Sequence, residues 1–173
     1  MFGGILTIMS ELEVKKVFIA SQGEDSLNYR KFVEIVNKRN IKVQKIKIGE
    51  RIKLENDLYI NVLWPADDKL ITQNTLNNNS IVMKLEYKEF SCLFTGDIEK
   101  IAEQELLKTL DKNELKSTIL KVAHHGSKTS TTQQFLEAVK PKIVLIGVGE
   151  NNKFGHPNKE VLERLELLRF ENL

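Results

Sequence analysis

A chain of 173 residues, 41% hydrophobic and with only three prolines, fits one domain with an ordinary folded core rather than a disordered polypeptide. Its 26 Lys and Arg residues against 24 Asp and Glu leave a formal charge of +2, too small to argue by itself for electrostatic binding of nucleic acid, so any preference for phosphate has to come from a local site. The single cysteine, Cys92, excludes an intrachain disulfide and a Cys/His zinc cluster, and no apolar run approaches the roughly 20 residues that span a bilayer, so the chain as given is expected to be soluble and cytoplasmic.

From Gly3 to about Glu13, the residues Ile5, Leu6, Ile8, Met9 and Leu12 recur at near-helical spacing and predict a buried helix. Val14 to Ala20 reads as a buried strand and Ser21 to Asp25 as a loop. Ser26 is placed to cap a helix with Leu27, Phe32, Val33, Ile35 and Val36 on one side, which makes a strand, loop, helix unit. Ile41 to Ile48 alternates apolar and polar residues as a half-buried strand does, and Gly49 ends it. Arg51 to Glu55 and Leu58 to Trp64 then form two short strands around an Asn56-Asp57 turn.

The polar stretch from Ala66 to Asn79 is the longest expected loop, with Asn77, Asn78 and Asn79 as a polar turn before the next strand. Ser80 to Tyr87 and Phe90 to Thr95 form a hairpin through Lys88-Glu89, with Cys92 a core thiol on the second strand. A helix is expected from Ile98 to about Asp111, with Glu99, Glu103 and Glu105 on its solvated face. Ser117 to Val122 is the next strand, Phe135, Leu136 and Val139 mark a short helix, Ile143 to Val148 a buried strand, and Val161, Leu162, Leu165 and Leu168 a closing helix. This mixture predicts an α/β (α+β) domain in which sheet layers are flanked by helices; a four-layer arrangement fits, though periodicity does not separate it from other α/β folds.

The stretch that organises the chain is Leu120-Lys121-Val122-Ala123-His124-His125-Gly126-Ser127-Lys128-Thr129-Ser130. Two of the three histidines stand side by side after an apolar run, and neutral imidazoles bind metal while Gly126 lets the backbone turn beneath them. Ser127, Lys128 and the free N–H groups of a helix starting near Ser130 or Thr131 would offer donors to an anion.

Thr95-Gly96-Asp97 puts a carboxylate at a strand end, where it could serve a site or simply cap the following helix. Gly155-His156-Pro157 brings the third histidine to the end of another strand, beside a helix start capped by Asn158. Oxygen and nitrogen donors of this kind suit zinc, manganese or iron. A carboxylate such as Asp97 could bridge two ions, and a water of lowered pKa would then attack a phosphoryl or carbonyl centre.

The order of these motifs resembles a known family. Phe94-Thr95-Gly96-Asp97, the His124-His125-Gly126-Ser127-Lys128 stretch, Val139-Lys140-Pro141-Lys142, and Gly149 to Asn152 with Gly155-His156-Pro157 resemble the metallo-β-lactamase-like domain of the competence protein ComEC family, from about Ile81 to Leu168. The resemblance implies a four-layer αββα fold over the single domain 1–173, a divalent cofactor, zinc or manganese, and hydrolysis of a phosphodiester, most directly DNA during uptake.

Carried onto this sequence, the resemblance makes Asp97, His124, His125 and His156 the candidate metal residues, with Asp97 and His125 as catalytic candidates and Ser127 and Lys128 as substrate-binding ones. Because neighbouring side chains on an extended backbone point to opposite faces, one of His124 and His125 is expected to ligate, with the choice open.

The family's fold begins with a strand hairpin and a His-x-His-x-Asp-His cluster that this sequence does not contain, and Phe2-Gly3-Gly4-Ile5-Leu6 resembles the helix start that follows it. The resemblance therefore implies a domain lacking its N-terminal strands, with impaired catalysis and an exposed sheet edge open to pairing with a second copy. The rival readings are a non-catalytic fragment and a hydrolase of a small carbonyl substrate such as a lactone.

Overall fold

The apolar residues sort into two separate cores. In the computed structural model, which describes residues 3–20, 26–67 and 69–170, the chain divides into two compact units, Met1–Ile46 and Lys47–Leu173. The expected loop Ser21 to Asp25, together with Met1, Phe2 and Asp68, lies outside the described residues.

The first unit consists of α1 (Gly3–Glu11), β1 (Lys16–Ile19), α2 (Leu27–Arg39) and β2 (Lys42–Lys45). β1 and β2 pair in parallel with Lys16 opposite Lys42, so α2 is the crossover that a parallel pair requires. Ser26 caps α2 as expected, its hydroxyl accepting the Tyr29 N–H at 3.2 Å, and Asn40 ends the helix in a left-handed conformation at φ 53°. Met9, Val17, Phe32 and Ile41 form the core.

α1 is not a buried helix, since Met9 is buried while Ile5, Ile8 and Leu12 are exposed: one residue per turn faces the small core and the rest face outward. The Ile41 to Ile48 strand shrinks to Lys42–Lys45, whose residues are all exposed, because the apolar Ile41 and Ile46 that anchor it lie just outside the paired segment.

The second unit carries a six-stranded sheet in the order β3 (Arg51–Glu55), β4 (Leu58–Trp64), β5 (Val82–Tyr87), β6 (Phe90–Phe94), β7 (Ile119–Lys121) and β8 (Ile143–Leu145). The pairings from β3 to β6 are antiparallel and those from β6 to β8 parallel. The helices are α3 (Thr75–Asn78), α4 (Lys100–Thr109), α5 (Lys112–Leu115), α6 (Gln133–Val139) and α7 (Lys159–Phe170). Trp64, Val82, Leu93 and Leu120 on the sheet pack in one core with Ile98, Ala102, Leu106, Phe135 and Leu136. Truncating a fully buried leucine such as Leu120 to alanine is expected to cost about 2–5 kcal/mol.

The fold is α+β, as the alternation of elements implied. Cys92 is a buried core thiol, and burial pushes its pKa up. The strand read as buried from Ile143 is instead a short edge strand, with Ile143 and Leu145 half exposed because no strand among the described residues pairs with β8 beyond β7. The Ala66 to Asn79 loop is held from within. Asn79 accepts the Ile71 N–H at 2.9 Å and donates to the carbonyls of Ile71 and Thr75, while the Trp64 indole donates to the Asn78 carbonyl at 2.8 Å. No helix among the described residues is long and apolar enough to cross a membrane.

Candidate functional site

Three parallel neighbours, β6, β7 and β8, release their C-terminal ends side by side, and the loops that follow them carry Asp97, the histidine pair and His156. That edge of a sheet is where ligands bind in open α/β folds, because loops leaving adjacent parallel strands converge there. Hydrogen bonds fasten the first two loops together. The Thr95 hydroxyl donates to the Lys121 carbonyl at 2.6 Å, and the His124 N–H donates to the Gly96 carbonyl at 3.0 Å. Gly96 has φ 56°, and a Cβ there would lie 2.7 Å from the Ser80 Cβ, so only glycine lets the turn sit this close. The Asp97 N–H donates to the Ser80 hydroxyl at 3.3 Å.

The backbone leaving β7 does not stay extended. His124 (φ 47°, ψ 41°) and His125 (φ 57°, ψ 21°) are both left-handed, an uncommon conformation for any side-chain-bearing residue and one that concentrates at functional sites. The reason given for only one histidine facing the site therefore does not apply: His124 turns toward Glu99 and His125 toward Asp97.

Gly126, at φ 82°, receives the third loop. A Cβ there would stand 2.7 Å from the Pro157 Cβ, and the Asn158 N–H donates to the Gly126 carbonyl at 2.8 Å. Asn152 shapes that loop from the other side, accepting the His156 N–H at 2.9 Å and donating to the His156 carbonyl at 2.8 Å. Asn158 caps α7 as the sequence indicated, its carbonyl oxygen accepting the Glu160 N–H at 3.1 Å.

The resulting cluster has an unusual deficit of hydrogen bonds. His124 Nδ1, His125 Nε2 and His156 Nδ1 are buried and make none among the described residues. His125 Nδ1 lies 2.6 Å from the Gly147 carbonyl, which can only accept, so Nδ1 carries the proton and neutral His125 presents a bare lone pair at Nε2. That lone pair faces Asp97 Oδ1 at 3.5 Å, and His124 Nδ1 faces Glu99 Oε1 at 3.6 Å. At His125 two acceptors held face to face call for a proton or a cation between them.

A tetrahedral ion with donors at about 2.0–2.2 Å spaces those donors roughly 3.3–3.6 Å apart, so each pair has the separation and donor types of a metal site's edge. The His124 and His156 rings lie 5.9 Å apart between centroids. Taken together, no group of three or more His, Cys, Asp or Glu side chains among the described residues stands close enough to hold an ion as placed. Burial draws the His156 pKa down, and repulsion from His124 and His125 adds to it.

The carboxylates differ from expectation. Asp97 does not cap α4; Glu99 occupies that position and makes no capping bond with its side chain. Neither Glu99 nor Glu103 lies on a solvated face, and both are buried, whereas Glu105 pairs with Lys108 at 2.7 Å. Glu99 accepts from Asn74 at 2.7 Å, Asn78 at 3.3 Å and the Thr129 hydroxyl at 3.0 Å, while its own N–H donates to Asn78 at 2.9 Å. Asn78 and Glu99 thus form a buried support beneath His124 that spacing alone did not single out; the nearest signal was a second carboxylate two residues after Asp97.

Glu103 accepts from the N–H groups of Thr131 and Thr132, so these two donors, expected to be free for an anion, are already filled from inside the protein. Burial pushes the Glu103 pKa up, against the hydrogen bonds and Arg164, which act to lower it. Ser127 is buried with its hydroxyl 3.0 Å from that of Thr129. Lys128 instead lines a cleft of about 720 Å³ beside Glu99. Lys121 lies under the site and donates to the Val122 carbonyl at 2.9 Å; burial lowers its pKa while Asp97 opposes the shift.

Fold and site together define an α+β domain with a strand-end imidazole and carboxylate cluster. Its sequence is similar to ComE operon protein 3 of Bacillus subtilis, 30% identical over 92% of this chain and 20% of that protein. It is also similar to Recombination protein 2 of Haemophilus influenzae, 39% identical over 62% of this chain and 13% of that protein, and to Competence protein ComA of Neisseria gonorrhoeae, 33% over 60% and 14%. The chain is therefore similar to one segment of these proteins, one of them named a competence protein, in agreement with the resemblance carried by its motifs, and it spans about a fifth or less of their length. No family model matches it. A Parabacteroides distasonis protein of known structure, described as a metal-dependent hydrolase, aligns with TM-score 0.48 at 16% identity over 90% of this chain and 74% of its own, too loose a likeness to carry an argument.

Proposed function

We propose that this chain is a metal-dependent phosphodiester hydrolase segment of a competence-type protein, acting on DNA. The observation that carries the reading is the set of unpaired imidazole nitrogens gathered at the ends of β6, β7 and β8, two of them facing carboxylate oxygens at 3.5–3.6 Å. Asp97, His124, His125 and His156 would hold a zinc or manganese ion. When bound, such an ion supplies positive charge against phosphoryl oxygens and makes an attacking water more acidic.

The chain's own groups do the rest. Gly147 holds the His125 ring in one tautomer, so His125 Nε2 and Asp97 together keep one proton or cation at the site. Asn78, Asn74 and Thr129 hold the Glu99 carboxylate beside His124. Lys128, which lines the cleft, would meet a phosphate, and Ser127 would act by shaping the turn through Thr129. We read ion retention and turnover as weak, since no three donors of the described residues are close enough as they stand. Pairing with a second copy through an exposed sheet edge belongs to the same proposal, and sedimentation over a concentration series tests it.

The test is turnover of a bis-aryl phosphodiester, single-stranded DNA and a lactone by the purified chain with manganese or zinc, alongside bound-metal analysis. Phosphodiester cleavage that requires added metal and disappears in His125→Ala is expected. Lactone turnover alone, or metal content unchanged in Asp97→Ala and His125→Ala, overturns the reading.

A further inference from the structure

The cleft beside Glu99 is walled by a chemically uneven set of side chains. Five carboxamides line it, Gln73, Asn74, Gln104, Gln133 and Gln134, together with three cations, Lys100, Lys128 and Arg164, against one carboxylate. That carboxylate, Glu99, already accepts from Asn74, Asn78 and Thr129. Lys100 and Lys128 have no ion-pair partner among the described residues, so the cleft carries uncompensated positive charge. Two of its lining side chains also hold buried polar atoms without a hydrogen bond, Gln133 Oε1 and Arg164 Nε, although such atoms are normally paired in a folded protein.

Cations meet phosphate, and a carboxamide, with a donor and an acceptor side by side, matches the paired N6 and N7 edge of adenine. A volume of about 720 Å³ lies within the range of small-molecule sites. Lys100 and Gln104 stand one turn apart on α4 and so present a cation and a carboxamide along one wall.

We propose that this cleft is a nucleotide-binding subsite, with the phosphate on Lys128 and Lys100 and an adenine base read by the carboxamides, Gln104 foremost. It touches the imidazole cluster through Glu99, which lies 3.6 Å from His124. Its role as the place where one nucleotide beside the scissile bond is held rests on the phosphodiester reading; its ability to bind does not. The cleft would give the protein a base preference that the imidazole cluster alone has no means to impose.

Calorimetric titration of the whole chain in excess chelator, with AMP, adenosine and inorganic phosphate as separate probes, tests this without metal or turnover. AMP is expected to bind roughly tenfold tighter than either half. Gln104→Leu is expected to bring AMP down to the level of phosphate without changing phosphate itself, and Lys128→Met to weaken both by a similar factor. AMP binding no tighter than phosphate, no saturable binding in the millimolar range, or indifference to Gln104→Leu in a variant that melts like the parent would overturn the proposal. A chain that binds AMP in this pattern yet cleaves no phosphodiester would leave the subsite standing and remove the hydrolase reading.

Discussion

Replacing Gly126 by alanine tests whether the third loop is held against the histidine turn by close packing. The backbone there has φ 82°, and the added Cβ would meet the Pro157 Cβ at 2.7 Å and its Cα at 3.0 Å. A left-handed residue with a Cβ costs about 1–2 kcal/mol, and forcing an extra carbon into a filled space about 1–3 kcal/mol, so Gly126→Ala should lose roughly 2–5 kcal/mol. Gly49 isolates the first contribution, since it has φ 86° but nothing within 4 Å of its Cβ position; Gly49→Ala should lose roughly 1–2 kcal/mol. Gly149, with open space and no positive φ, should change little.

Urea unfolding of the three variants supplies the numbers, and bound manganese after gel filtration supplies the site readout. If Pro157 is displaced, His156 leaves His124, and Gly126→Ala alone should lose metal beyond what its stability explains. Equal losses of stability and metal in Gly126→Ala and Gly49→Ala would refute the packing argument.

Because Asp97 makes no helix cap, Asp97→Ala should reduce retained metal while leaving unfolding free energy within about 0.5 kcal/mol, short of the 1 kcal/mol typical of a lost cap. Asn78→Ala removes an acceptor from the buried Glu99 N–H and a donor from its carboxylate, so a loss of about 2–3 kcal/mol is expected in chemical denaturation, and a change under 0.5 kcal/mol would show that Glu99 does not depend on it.

Glu86 offers a pH test. Its burial raises the pKa, but Lys84 at 3.0 Å, with Asn61 and Arg51, outweighs that and holds it below 4.5. A carboxyl whose folded pKa is depressed adds stability above its unfolded pKa and loses it as pH falls through the folded one. Denaturation midpoints measured from pH 7 down to pH 3 should therefore fall less steeply in Glu86→Gln, and parallel curves would count against the pair.

Local chemistry determined much of this protein directly from its sequence. Ser26 ahead of an amphipathic run, Asn158 ahead of another, and the turns at Asp57 and Lys88 each act over a few residues, so the helices and hairpins they bound are readable without a fold. The strand-end positions of Asp97, His124, His125 and His156 were legible for the same reason. Extents and environments were not. α1 is amphipathic in spacing yet mostly exposed, and Glu99 and Glu103 sit on a helix whose buried side depends on what lies opposite.

Tertiary structure alone decided that β6, β7 and β8 are parallel neighbours, which is what brings three loops distant in sequence to one edge. It also turned the histidine pair left-handed, set Glu103 on the N–H groups that a sequence reading left open to an anion, and laid Pro157 against Gly126. Each of these depends on contacts between residues some 20 to 30 positions apart, and no local periodicity encodes such contacts.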